Sequence, residues 1–183
     1  FFDFFMAKRI SILLDLDIGS VGLIRPTDPA PYLFYEHDVL KTGTASFGYR
    51  GQSLIINGRA ETLTEKYLFR DALKHPVIIP ASEYYEYNPR KQKYTFRRED
   101  NEPLYMAGFL IDGSFVIITT AANSSVQPVH DRMPLILEED EMKHWLKGDA
   151  TLLKKVPGRL QATTSFEQTS LFLEVYELLH RRL

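Results

Sequence analysis

The stretch that decides the fold runs from Val77 to Thr120 and reads VIIPASEYYEYNPRKQKYTFRREDNEPLYMAGFLIDGSFVIITT. It holds five runs rich in β-branched and aromatic residues, at 77–79, 84–87, 94–97, 104–110 and 115–120. Asn88-Pro89, Glu99-Asp100-Asn101 and Asp112-Gly113 punctuate them. Residues of this type pack well on a pleated surface, and short runs separated by turn residues predict strands. An Asp-Gly pair between two apolar runs predicts a tight hairpin, because the favoured two-residue turns need positive φ. The segment therefore predicts an antiparallel meander.

Working outward, residues 54–57 form a short apolar run suited to a buried strand, and Thr62 and Glu65 have capping-box spacing ahead of a helix reaching about Lys74. Pro76 stops that helix. Residues 6–16 space their apolar side chains as a short helix does, and Gly19, Pro26, Pro29 and Pro31 then mark an irregular connection. Phe1-Phe2-Asp3-Phe4-Phe5 reads as the middle of a strand, which leads us to expect further residues upstream of Phe1. Downstream, residues 135–137 are a candidate strand. Residues 138–146 are a helix with acids in its first turn and Lys143 and His144 near its end, and Gly148 terminates it. Residues 173–183 read as a short amphipathic helix or a tail. The predicted class is α+β, a curved antiparallel sheet or barrel with a few peripheral helices, in one domain spanning residues 1–183.

Composition narrows the function. With 44% hydrophobic and 25% charged residues, the chain is neither a disordered segment nor a coiled coil. A net charge of −2 is not the broad basic footprint usual in nucleic-acid binders. Arg90, Lys91, Lys93, Arg97 and Arg98 cluster around a predicted hairpin and read as a solvated turn. Aromatic residues are plentiful, with 12 Phe and 10 Tyr, and suit either strands or stacking on bases. No cysteine occurs, so these residues supply no disulfide, thiolate metal site or thiol nucleophile. His37, His75, His130, His144 and His180 show no helical pairing, so neither a metal nor a cofactor is expected. No apolar run approaches the ~18 residues of a membrane span, and a cytoplasmic monomer is expected.

Three islands carry chemistry. Val129-His130-Asp131-Arg132-Met133-Pro134 is a polar cluster between apolar runs, and polar groups beside a core need partners. His130 reads equally as a core histidine bonded to a carbonyl or as an acid/base, since imidazole changes charge near neutral pH. In the second island, Glu86 shares a strand face with Tyr84, while Glu83, Tyr85 and Tyr87 take the other face. If the Glu86 face is the inward one, its carboxyl pKa rises and it can shuttle protons. The third island is Asn57-Gly58-Arg59-Ala60-Glu61. There Asn57 can donate and accept together, and Arg59 either grips a phosphate or pairs with Glu61.

These islands, in this order and spacing, resemble the SRAP family (SOS response-associated peptidase). Its pattern comprises Asn-Ala-Arg-Ala-Glu, Pro-Ala-Ser-Gly-Phe-Tyr-Glu-Trp, Thr-Thr-x-Ala-Asn and His-Asp-Arg-Met-Pro. Here the corresponding segments are Asn57 to Glu61, Pro80 to Tyr87, Thr119 to Asn123 and His130 to Pro134, and the resemblance covers about residues 25–165. It implies a SRAP-like fold and binding of single-stranded or junction DNA with abasic sites, near the nucleoid when bound. It also implies covalent capture of the lesion: an N-terminal cysteine, exposed by self-removal of the initiator methionine, attacks the sugar aldehyde through its amine and closes a thiazolidine ring through its thiol. Asn57 would orient that residue and the lesion, and Glu86 and His130 would move protons. Arg59 and Arg132 would hold the DNA backbone, Phe47 would stack on a base, and Pro31 would sit in a loop that wedges the strands apart.

The sequence departs from the pattern in several places. The Met-Cys-Gly-Arg start is absent, so the cysteine is expected outside these residues, and Phe47 stands where the family has Trp. Tyr87 also replaces a Trp, and Glu83 replaces a Gly, placing a negative charge near the expected phosphate path. Two other functions remain open at this point: non-covalent single-strand binding, and a hydrolase in which Glu86 and His130 activate water.

Overall fold

The computed structural model describes residues 4–6, 22–65 and 67–164. Strand β1 is Phe4–Met6, β2 Leu23–Ile24, β3 Pro29–Glu36, β4 Val39–Phe47, β5 Tyr49–Arg50, β6 Leu54–Ile55 and β7 Asn57–Arg59. Helix α1 (Tyr67–Ala72) leads into β8 (Pro76–Ala81), β9 (Glu83–Tyr87), β10 (Lys93–Arg97), β11 (Leu104–Ile111) and β12 (Ser114–Ala121). Then come β13 (Arg132–Pro134), β14 (Ile136–Leu137), helix α2 (Glu139–Leu146), a 3-10 helix (Ala150–Lys154) and β15 (Gln161–Thr164).

Five strands close on themselves. Strand β12 pairs with β4, β4 with β3, β3 with β8, β8 with β11, and β11 again with β12. This small barrel carries β7 and β13 on β12, and β14 on β11. A second sheet, ordered β15-β10-β9-β1-β2, lies beside it. The α+β, barrel-like expectation therefore holds, with two refinements. Strands β8 and β9 are separated only by Ser82 yet enter different sheets, so the predicted meander is split. Moreover, β12 meets β4 and β7 in parallel, so the barrel is mixed.

Period-two alternation explains why the barrel strands read as continuous apolar runs. In β8, Val77, Ile79 and Ala81 enter one core and Ile78 the other. In β11, Leu104 and Met106 oppose Tyr105, Ala107 and Phe109, and in β12 Phe115 and Ile117 oppose Val116 and Ile118. Both faces are buried, so no polar stripe is left to mark one of them. The first core also takes Tyr84 and Phe96 from the second sheet, which stack at 5.0 Å. The other is roofed by α2, whose Trp145 indole N–H donates to the Val77 carbonyl at 2.9 Å.

Several expectations change. The stretch predicted as irregular contains β3, with Pro29 opposite Ser46 and Pro31 opposite Thr44 on β4. Prolines two apart lack their N–H on the same side of a strand, and β3 meets β8 only at Leu33, so the first half needs no ladder there. The helix predicted over 62–74 shrinks to α1, because residues 62–65 are spent on turns, with Thr62 N–H donating to the Arg59 carbonyl at 3.0 Å. Of the helix predicted over 6–16, only Met6 is described, as the end of β1. The tail at 173–183 lies outside the described residues.

Candidate functional site

One cleft of about 370 Å³ gathers residues from all three islands. Its lining is Asn57 and Arg59 from β7, Glu86 from β9, Thr119 from β12, His130 and Asp131 from the loop before β13, and Arg132 and Met133 from β13. The parallel register Ile117↔Asn57 and Thr119↔Arg59 brings the first pair in beside β12. Asn57 and Arg59 flank Gly58, so alternation sends both toward the cleft while Gly58 faces Leu63 and Phe109.

The face left open in the sequence is settled by burial. Tyr84 is fully buried and Glu86 is only 2% exposed, so this pair points inward. Burial raises the Glu86 carboxyl above its ordinary range, and nearby positive charge, His130 included, opposes that rise. The Tyr84 hydroxyl is likewise pushed well up by burial and by the Glu86 charge. Glu83 lies on the other face, where it accepts from the Tyr85 hydroxyl while Lys93 Nζ sits 3.6 Å over the Tyr85 ring. Glu83 thus points away from the cleft that holds Glu86.

His130 is held by its own loop. Asn123 organises that loop: its Nδ2 donates to the carbonyls of Pro157 (3.1 Å) and Gly158 (2.6 Å), and its Oδ1 accepts from Ser125 N–H (2.9 Å) and Ser125 Oγ (2.6 Å). Residue 132 meets the imidazole Nδ1 twice, through its backbone N–H, which donates at 3.0 Å when the proton is on Nε2, and through its carbonyl at 3.3 Å, which accepts when the proton is on Nδ1. Asp131 Oδ1 also lies 3.2 Å from Nδ1, ready to take a proton-bearing Nδ1 when the ring is charged.

The arginines differ. The Arg132 guanidinium is bidentate to Glu61, at 2.7 and 2.9 Å, and donates to the Thr119 carbonyl at 2.7 Å. That pairing holds the Glu61 carboxyl below its usual range. Glu61 thus partners Arg132 rather than Arg59, and the Arg132 fork is already taken by a carboxylate. Arg59 is exposed, lines the cleft, and makes no ion pair among the described residues. Asn57 Oδ1 is buried without a hydrogen-bond partner among the described residues, an acceptor left over for whatever enters.

Two expected contacts lie elsewhere. Phe47 is fully buried and stacks on Phe115 with centroids 5.4 Å apart, so it has no face for a base. Pro31 is buried within β3 rather than set in a wedge loop. Conversely, Thr119, Asp131 and Met133 line the cleft although the sequence reading gave them no role. All three sit in motifs that had been noticed, and only tertiary geometry could single them out. Among the described residues no cluster suited to a metal ion occurs.

The fold and cleft together define a small mixed barrel that sets a buried carboxylate and an imidazole in one pocket beside an exposed arginine. The chain belongs to the SOS response associated peptidase (SRAP) family, whose model matches residues 35–176. It is 37% identical over 111 residues to the abasic site processing protein YoaM of Bacillus subtilis, covering 53% of this chain and 49% of that protein. It is 28% identical over 115 residues to the abasic site processing protein YedK of Escherichia coli, covering 56% and 51%. The chain thus spans about half the length of the curated relatives it matches. In fold it is similar to a crystal structure from Bordetella bronchiseptica, with a TM-score of 0.74, 21% identity and coverage of 90% of this chain and 99% of that one. A second, from Bacteroides thetaiotaomicron, gives a TM-score of 0.64 at 23% identity, covering 87% and 83%.

Proposed function

We propose that this protein processes abasic sites in single-stranded or junction DNA, with Glu86 and His130 as its proton-transfer pair. The observation that carries the proposal is the almost fully buried Glu86 carboxyl, raised in pKa by that burial, in one cleft with His130, Asn57 and the exposed Arg59. A carboxyl whose pKa burial has raised can give a proton and take it back within one cycle. The names of the relatives, abasic site processing proteins, point to the same substrate.

In this proposal His130 relays a proton between the two oxygens of the sugar hemiacetal as the ring opens to the aldehyde. An N-terminal amine adds to the aldehyde carbon, and protonated Glu86 gives its proton to the resulting hydroxyl, which leaves as water. That loss leaves an iminium, the thiol of the same residue adds to its carbon as its proton returns to Glu86, and the neutral thiazolidine closes. Asn57 orients the reacting groups with its open acceptor, and Arg59 holds a phosphate. The 183 residues contain no cysteine, and this route requires an N-terminal cysteine that carries both the amine and the thiol. Self-removal of the initiator methionine exposes that residue.

The test is crosslinking to abasic single-stranded DNA by protein expressed from the complete reading frame. We expect a heat-stable adduct that Glu86→Gln abolishes or slows sharply. An adduct formed equally well by Glu86→Gln refutes the role of Glu86, and mass spectrometry finding no Met-Cys ahead of Phe1 refutes the covalent route. The exposed Arg59, which makes no ion pair among the described residues, supports a second reading, non-covalent binding of a single strand. On that reading Arg59→Gln lowers the salt slope of binding by about 0.7, the value of one phosphate contact on a single strand, and no adduct forms.

A further inference from the structure

We infer that Glu61 is a positioning residue that acts on His130 through Arg132. The chain of contacts is short and continuous. Glu61 closes both arms of the Arg132 guanidinium, at 2.7 and 2.9 Å, across 71 residues of sequence. The same guanidinium donates to the Thr119 carbonyl at 2.7 Å, which ties β13 to β12 at the mouth of the cleft. Both backbone groups of Arg132 reach His130 Nδ1, the N–H at 3.0 Å and the carbonyl at 3.3 Å, and the shorter N–H contact favours the Nε2–H form of the ring. Glu61 therefore holds residue 132 where the balance of these two contacts, and with it the basic nitrogen of His130, is set. The Arg132 side chain is only 19% exposed, so a fork released from Glu61 would be left partly desolvated without its charge partner.

Geometry at the carboxylate favours positioning over simple attraction. A bidentate pair constrains the plane of the guanidinium as well as its distance, which a single contact does not. Glu61 touches none of the cleft in its own right, whereas Arg132, Thr119 and His130 all line it. Its place at the end of the Asn57–Glu61 island means that the island supplies both an orienting amide and the brace for the acid/base.

The catalytic part of this inference rests on the proposed abasic-site chemistry, but its first test does not. Imidazole nitrogen resonances report the tautomer of His130 in the full chain without DNA. Above the imidazole titration we expect one Nε2–H tautomer in the wild type and a mixture in Glu61→Gln, with Glu61→Asp, which keeps the charge, partly restoring the single form. A His130 spectrum unchanged in either folded Glu61 variant overturns the inference. The second test is single-turnover capture of abasic DNA at saturating protein. We expect Glu61→Gln to slow capture about tenfold, within the cost of small misplacements at a reacting centre, while affinity for an intact single strand does not fall. On an Arg132→Lys background the same change should add little, because both act through one contact. Loss of affinity with an unchanged saturating rate overturns the positioning role. A wild type that captures nothing, with the tautomer shift present, refutes the proposed function and leaves the brace standing.

Discussion

Replacing Phe47 separates a core role from a nucleic-acid role. Its ring is fully buried in the first core and lies nearly parallel to Phe115, with an interplanar angle of 13°. Truncation of a buried phenylalanine to alanine costs about 3–5 kcal/mol through lost transfer energy and the cavity left behind. The stacked partner contributes about 0.5–1.5 kcal/mol beyond its area, which places Phe47→Ala in the upper half of that range. At about 2–4 °C per kcal/mol for a chain of this size, the melting temperature should fall by roughly 8–20 °C. Phe47→Leu, which keeps most of the apolar volume, should lose far less. The assay is a thermal melt followed by anisotropy titration of a labelled single strand at two salt concentrations, below the melting range of each variant. Affinity and salt slope should match the wild type in both. A Phe47→Ala protein that melts like the wild type yet binds the strand more weakly would refute the reasoning and restore Phe47 to the DNA surface.

Three further outcomes follow from the structure. Gly108→Ala should cost about 1–3 kcal/mol in chemical denaturation, because a Cβ there would lie 2.4 Å from Ile79 Cδ1 and 2.8 Å from the Val116 carbonyl, a backbone atom that cannot swing aside; a neutral result would show that β11 and β12 can part locally. Asn123→Ala removes hydrogen bonds to residues 125, 126, 157 and 158 and should cost about 2–4 kcal/mol at ~1 kcal/mol per bond with partial replacement by water. Amide exchange should then quicken across residues 125–130, and unchanged protection there would count against the staple. Finally, the raised Glu86 pKa means the folded chain holds that proton where the unfolded chain, at its ordinary 4.5, has released it. This contribution to stability is greatest below pH 4.5 and declines as pH rises through the folded value, so Glu86→Gln should flatten the pH dependence above 4.5, with an unchanged slope as the contrary result.

Much of the fold was legible because its signals are local. Apolar runs between turn pairs located the strands from β8 to β12, and the acid-first, base-last pattern located α2. What failed to show was pairing. Nothing within residues 76–87 tells β8 from β9 as members of different sheets, because that division depends on partners at β11 and β10. Pro29 and Pro31 argued against a strand until the position of β3 showed that their missing donors were not needed. The site was legible as residue types and opaque as geometry. Alternation paired Tyr84 with Glu86 but could not choose the inward face, which burial on the second sheet decides. Phe47 and Arg132 took their expected roles from position in a motif. The structure gives one to the core and the guanidinium fork of the other to Glu61, a contact between residues too far apart in sequence for any periodicity to reveal.

Gly58 ties the Asn57–Glu61 island to the core beneath it. The family pattern has alanine at this place, yet here an added methyl would lie 2.7 Å from Leu63 Cδ2 and 3.4 Å from the Phe109 ring. Leu63, fully buried, has taken the room that a methyl at position 58 would use. Positions 58 and 63 are therefore a single choice rather than two, and a homologue that restores alanine at the first should carry a smaller or differently turned side chain at the second. An alanine-bearing island transplanted onto this chain without a change at Leu63 would press its methyl against that side chain, beside Asn57 and Arg59.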